Sequence, residues 1–320
     1  MIQNDTGLQR DGVPLQGGAV DRRGFLARVR NLNVWSSGGQ RAPNKPLLLL
    51  LALGRLQGGE PRLASFAEIE GTLRDLLRRF GPPRKSQRPL NPFQRLCNDG
   101  LWDVPDAASV EKTTSEDFKK SDVIRKGIEG GLLDADHQLL LGNTELVAQA
   151  AELLLQGHFP ESLHDDIRDA VGLRAEWVVR DAPAPARDPG FRSAVLRAYE
   201  RRCAVCDYDI RLGDDLLGLE AAHIRWYAAG GPDEVNNGLA LCGFHHQALD
   251  RGAWGLEPFH RGFRIVVSSE VHGQSAALRL LRDFHGERLR RPLSSRDVPL
   301  AAHVRWHCRE VFRRPALTTG

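Results

Sequence analysis

Two ligand pairs set 36 residues apart constrain the second half of this 320-residue chain more than any other feature of it. Cys203 and Cys206 form a Cys-x-x-Cys knuckle, and Cys242 and His245 form a Cys-x-x-His knuckle. Together they supply what a closed tetrahedral Zn²⁺ site requires, and thiolates with a neutral imidazole suit Zn²⁺ far better than Mg²⁺. A site closed in this way is structural, so it holds the fold and performs no chemistry.

A second polar group is interleaved with the first. His223 lies near the end of an apolar, strand-like run, Leu217 to Ile224, and Asn237, His246 and Asp250 follow it at 14, 23 and 27 residues. His246 and Asp250 are four apart, so on a helix starting near Leu239 they share a face and are expected to grip one divalent cation. The adjacent His245 and His246 would then belong to different metals.

Cysteine usage places the chain in a reducing compartment: five cysteines without a secreted-framework spacing favour metal binding over disulfides. No basic-then-apolar leader opens the chain and no apolar run approaches a membrane span, so a soluble, cytoplasmic protein with no membrane partner is expected. Basic residues exceed acidic ones by only three, so any positive face must arise by clustering. The length suffices for two domains, each with its own core.

Taken in order, residues 1–20 have no periodicity and are expected to form a flexible arm. Arg22 to Arg30 is a short amphipathic helix by pattern. Leu47 to Leu56, led in by Pro43 and Pro46, is too apolar for a surface helix and should be the central helix of a first domain. Ser65 to Phe80 carries a capping box with Glu68, and Gly81-Pro82-Pro83 ends it. Arg84, Lys85, Arg88 and Arg95 follow with no acidic residue among them, a basic segment suited to phosphate contact. Leu101 to Val104 is a strand by composition and Thr144 to Leu155 a helix. The segment Asp181 to Pro189, rich in Pro and Ala, marks a linker. Beyond it come a helix from Phe191 to Arg201, strands within Gly255 to Val267, and a last helix from Ala301 to Phe312, on which His303, His307 and Cys308 are expected to pack rather than bind metal.

From Cys203 to Asp250 the chain resembles the HNH nuclease motif, the ββα-metal fold, over roughly residues 195 to 268. The resemblance implies that His223 is the general base, Asn237 the central Asn that orients it, and His246 the final His. Many members carry a metal ligand immediately before the first His, where this chain has Ala222; Glu220 is a candidate substitute.

Arg41-Ala-Pro-Asn-Lys-Pro and Asn91-Pro-Phe-Gln-Arg-Leu-Cys-Asn-Asp-Gly-Leu-Trp resemble the sulfur-binding domain of restriction endonucleases that recognise phosphorothioate-modified DNA. That resemblance implies a sulfur pocket involving Arg41 and Pro92, with Arg95 beside it and Lys45 and Asn91 in the same two motifs. Family members have His where this chain has Asn44 and Tyr where it has Asn91. The chemistry is coherent, because a non-bridging sulfur is larger and less well hydrated than oxygen, and a shallow apolar cup favours it.

The expectation is therefore an α+β chain: an arm at 1–20, a mostly helical DNA-reading domain at 21–165, a linker at 166–190 and a zinc-containing ββα-metal HNH nuclease domain at 191–320. It would bind phosphorothioate-modified double-stranded DNA and hydrolyse phosphodiester bonds nearby, in the manner of a type IV restriction endonuclease, with structural Zn²⁺ and catalytic Mg²⁺ or Mn²⁺. Double-strand cleavage by one such site calls for a homodimer or for sequential nicking. The alternatives are an HNH nuclease that reads a different DNA modification, for which Trp35 and Trp102 are the candidate aromatic contacts, and an inactive modified-DNA-binding protein.

Overall fold

A computed structural model describes residues 21–34, 40–174 and 188–318. The expected arm, Trp35 and most of the expected linker lie outside the described residues.

The leucine run organises the first body. Helix α1 (Arg22–Arg30) is capped by Asp21, and α2 (Asn44–Gln57) starts just after Pro43 with Pro46 in its first turn, where a missing N–H costs nothing. Leu47 through Leu51 and Leu53 are all buried, so α2 is covered around most of its circumference. Around it come β1 (Leu63–Ser65), α3 (Phe66–Phe80), α4 (Leu90–Arg95), β2 (Trp102–Asp103), α5 (Lys120–Arg125), β3 (Glu129–Leu132), α6 (Asp134–Leu140), α7 (Thr144–His158) and α8 (His164–Val171). The expected capping box is present, with Ser65 Oγ accepting from the Glu68 N–H at 3.2 Å.

Strand β3 was not expected, and it is the centre of an antiparallel sheet ordered β1-β3-β2. Its Gly130 and Gly131 hide it from a propensity argument, yet both are sterically required: a Cβ at Gly131 would lie 2.0 Å from the Arg62 carbonyl oxygen. Helix α8 packs on α2 at Gly54, where a Cβ would meet the Val171 carbonyl oxygen at 1.8 Å. Ile167, Val171 and Leu173 belong to this core, which carries the first body past the boundary expected at 165.

The second body begins with α9 (Pro189–Ala198) and a small hairpin, β4 (Arg211–Leu212) and β5 (Asp215–Leu216). The antiparallel pair β6 (Leu219–His223) and β7 (Gly238–Cys242) leads directly into α10 (Gly243–Asp250), which is a ββα unit. The helix expected near Leu239 starts only at Gly243. Every residue of β7 is buried, so the strand shows no polar alternation and periodicity alone cannot separate it from the helix that follows. A hairpin of β8 (Trp254–Phe259) and β9 (Gly262–Val267), then α11 (Arg279–Arg282) and α12 (Ala301–Glu310), complete the body. Among the described residues no helix is long and apolar enough to cross a membrane.

The two bodies share a seam. Trp226, Trp306 and Val311 of the second join the hydrophobic core of the first. At its centre the fully buried Glu310 carboxylate accepts from Arg309 Nε at 2.6 Å and from the Arg41 backbone N–H at 3.0 Å, with Arg84 Nη2 at 3.8 Å. The Arg41 guanidinium donates to the carbonyls of Phe80 and Glu310 and lies 4.0 Å over the Trp226 ring. Burial pulls its pKa down to about 9 against the pull of Glu310. Across the same seam Ser162 donates to Asp250 at 2.5 Å and Arg251 pairs with Asp166.

Removing the buried Glu310 carboxylate strands the Arg41 charge. Glu310→Ala should therefore lower unfolding free energy by about 3–5 kcal/mol, measured by urea denaturation. His307 provides a pH signature: it is 2 % exposed, shares Nε2 with the Leu249 carbonyl at 3.0 Å, and burial pushes its pKa down to about 4. The unfolded chain takes up this proton below about pH 6.5 and the folded chain only near pH 4. Stability is thus fully present above the unfolded value and falls as pH drops through that window, by about 3 kcal/mol from this group. His307→Asn should flatten that part of the stability–pH curve.

Candidate active site and metal centre

The start of α10 and the end of β7 bring Cys242 and His245 against the Cys203–Cys206 turn. All four ligand atoms lie within 4.8 Å of one another. Cys206 Sγ is 3.9 Å from Cys242 Sγ, Cys203 Sγ is 3.7 Å from His245 Nδ1, and Cys242 Sγ is 3.2 Å from the same nitrogen. A tetrahedral Zn²⁺ with Zn–S near 2.3 Å places its ligands about 3.7 Å apart, so the group fits that ion. His245 directs Nε2 at the Leu280 carbonyl at 2.8 Å, which leaves Nδ1 as the ligating nitrogen. Contacts from Cys206 and Cys242 hold the Cys203 thiol well below its ordinary pKa, while the Cys206 thiol is pushed up by its contacts with Cys203 and Cys242 and by burial.

His223 ends β6 opposite Gly238. Its Nε2 is 2.8 Å from Asp233 Oδ1, and its ring stacks on Phe191 with centroids 4.2 Å apart and planes at 16°. Neither partner was anticipated from sequence. Asp233 lies in a Gly-Gly-Pro-Asp turn that reads as an ordinary connection, and Phe191 is remote in the chain. The carboxylate fixes the proton on Nε2 and so leaves the imidazole lone pair on Nδ1.

Asn237 is fully buried. Its Oδ1 accepts from the Arg225 N–H at 2.9 Å, and its Nδ2 donates to the carbonyls of Arg225 at 3.1 Å and Pro232 at 2.9 Å. It therefore clamps both ends of the loop that delivers Asp233 to His223. Gly231 must be glycine for this clamp, because a Cβ there would lie 1.8 Å from the Arg225 carbonyl oxygen.

His246 and Asp250 share a face of α10, but their arrangement differs from the expected two-residue grip. His246 Nδ1 is 2.5 Å from Glu220 Oε2, while Nε2 is 3.3 Å from Asp250 Oδ2. The two carboxylates thus take opposite edges of one ring rather than converging on a point. Burial lowers the His246 pKa, but the bonds to Asp250 and Glu220 outweigh it and hold the value at about 10. Ala222 is fully buried, so the position that carries a ligand in many HNH proteins faces the core here, and the nearby Glu220 carboxylate contacts His246.

Residues 22–176 match the family described as ScoMcrA-like, DNA sulfur-binding domain, and residues 203–257 match the HNH endonuclease family. The chain joins a DNA sulfur-binding domain to an HNH endonuclease domain. Among solved structures, the sulfur-binding domain of ScoMcrA complexed with phosphorothioated DNA is 24 % identical over 48 % of this chain and 98 % of its own, with a TM-score of 0.44. The corresponding SprMcrA domain complexed with phosphorothioated DNA is 25 % identical over 48 % of this chain and 95 % of its own, with a TM-score of 0.41. The type IV phosphorothioation-dependent restriction endonuclease ScoMcrA is 25 % identical over 55 % of this chain, with a TM-score of 0.43, and the chain spans 38 % of its length. No match to a curated protein was found.

Within the sulfur-binding domain, the residues expected to face DNA divide into two groups. Arg84, Lys85, Arg88 and Arg95 are exposed, with Arg95 paired to Asp117 at 2.8 Å, and Asn91 is half-buried. The others are committed internally. Arg41 is 8 % exposed beneath the second body, Pro92 is buried within α4, and Lys45 is tied to the Asn33 carbonyl and to Asp99 Oδ2 at 2.5 Å. Arg41 is thus a seam residue in this arrangement, because the HNH domain supplies a carboxylate and an indole face where a surface arginine would meet solvent. Trp102 is 4 % exposed and packs edge-on against Phe93, which removes it as an aromatic contact for a flipped base. His307 and Cys308 hydrogen-bond the carbonyls of Leu249 and Leu256, in keeping with a packing role.

The Cys3His group is the one convergent cluster of its kind among the described residues. Cys206→Ser should lower bound zinc per chain, read by elemental analysis, and lower the melting temperature together with it.

Proposed function

We propose that this protein binds phosphorothioate-modified duplex DNA through its first domain and hydrolyses phosphodiester bonds nearby with its HNH domain, as a type IV-like restriction endonuclease. The observation that carries the reading is the His223–Asp233 pair, braced by Asn237 and Phe191, on a chain whose other half is a sulfur-binding domain.

Phosphodiester hydrolysis needs a base for the attacking water, positive charge near phosphorus and fixed geometry. His223 is the base: Nδ1 takes the proton from water while Nε2–H stays on Asp233, whose charge stabilises the imidazolium that forms. The Phe191 stack fixes the ring plane and excludes water from one side of it. Asn237 acts at one remove, holding the loop from which Asp233 projects. Glu220, His246 and Asp250 carry the donors that a hard divalent cation such as Mg²⁺ or Mn²⁺ takes; because the two carboxylates sit on opposite edges of the His246 ring, the ion would bind only once one of them swings to the other's side, and would then supply charge neutralisation at the phosphoryl oxygens. His246 would join that set as the neutral imidazole.

In the first domain, Asn91 and Arg95 with Arg84, Lys85 and Arg88 form the DNA-facing group, and Pro92 lies beneath them as apolar support. Arg41 reaches a backbone phosphate once α12 and the Trp226 loop part from it. Its Nε and Nη1 have no acceptor among the described residues, so the closed seam leaves it incompletely satisfied.

Duplexes of one sequence with and without a phosphorothioate, assayed together for binding and cleavage, test the whole reading: tighter binding of the modified duplex and cleavage with Mg²⁺ or Mn²⁺ are expected. Equal affinity for both defeats sulfur recognition, and binding without nicks defeats the nuclease assignment. His223→Ala should lower the cleavage rate by about 10²-fold or more with binding intact. Asp233→Asn should lower it while shifting the pH–rate profile, because the group that stabilises the imidazolium is lost.

A further inference from the structure

A cleft of about 910 Å³ opens along the seam on the side of the second body that carries Arg251, the residue directly after Asp250. Its walls come from both domains: the end of α3 and the loop after it on one side, and the chain from Cys308 to Arg314 on the other. Eight arginines and lysines line it against two carboxylates, Asp166 and Glu270. A chain with a net charge of only +3 has therefore concentrated basic side chains at one place. Only Arg84 and Lys85 of these were singled out from sequence; Arg309 lies in the last helix, and Arg313 and Arg314 follow it.

Some of these charges are already used. Arg313 donates to the carbonyls of Arg78 and Arg79, closing the C-terminus of α3, and Arg84 and Arg309 face Glu310. Arg251 pairs with Asp166. Arg78 pairs with Asp75, which leaves Arg79, Lys85 and Arg314: all three are exposed and carry no ion pair among the described residues. Arg313 also removes the α3 carbonyls that would otherwise repel an anion at that end of the helix.

We propose that this cleft is a second DNA site, a track for the unmodified phosphodiester backbone that runs from the sulfur-binding domain to the C-terminal end of α10. It deepens the function proposed above and rests on DNA being the ligand. Eight of the fifteen lining residues are Arg or Lys, whose stems supply apolar wall and whose heads supply charge, and the space exceeds what one phosphate fills. Guanidinium forks match the oxygens of a phosphodiester and have no preference for a poorly hydrated sulfur. The cleft therefore adds affinity and fixes register without reading modification or sequence.

The test is the salt dependence of binding by the full chain carrying R79Q and R314Q, on phosphorothioated and plain duplexes of one sequence. Each phosphate contact contributes about 0.9 to the slope of log K against log salt, so the slope should become shallower by about 2 on both duplexes. The ratio of the two affinities should stay at the wild-type value. A control carrying R79K and R314K keeps the charges and should keep the wild-type slope, which separates lost charge from misfolding. A slope unchanged in the glutamine variant overturns the proposal, as does a loss confined to the modified duplex. Equal wild-type affinity for the two duplexes would sink sulfur recognition while a reduced slope still upheld the cleft.

Discussion

The convergence of Cys203, Cys206, Cys242 and His245 is the constraint on which the catalytic half depends. β7 is five residues long and α10 eight, too short to be stable alone. Joining the end of one and the start of the other to a turn 36 residues earlier fixes the angle between them. His223 lies on the strand paired to β7 and His246 on α10, so the geometry of the site is inherited from a group that takes no part in chemistry. The hydrogen bond from His245 to Leu280 extends that order to the chain beyond the second hairpin.

The seam imposes a second constraint. Glu310 is fully buried with arginines from both bodies around it, and Trp226 and Trp306 complete the core of the first body. The two bodies are consequently held in one arrangement by a charge network whose members cannot be removed singly without leaving a buried charge. The same arrangement covers Arg41, creates the basic cleft and places Ser162 of the first body on Asp250 of the second.

Much of this was legible in the sequence where local rules govern. Asp21 and Ser65 as caps, the leucine run as a buried helix and the ligand spacing each depend on neighbours a few residues away. Errors arose where a signal was erased by packing. β3 contains the glycines that its close contacts demand, and β7 is apolar on both faces, so neither shows a strand pattern. The role of Asp233 could not be read from its turn, since only the Asn237 clamp brings it to His223.

The sequence by itself determined which groups are present: a Cys3His set spaced for zinc, a His and an Asn spaced as in the HNH motif, and motifs resembling those of a sulfur-binding domain, each defined by residue type and spacing. Tertiary structure decided which of them meet. It paired His223 with Asp233, set Glu220 and Asp250 on opposite edges of His246, and drew Arg41 into the seam while gathering the C-terminal arginines into a cleft. The reason is physical: spacing along the chain fixes neighbours within a helix or strand, whereas contacts between residues on different elements are set by which apolar faces bury together.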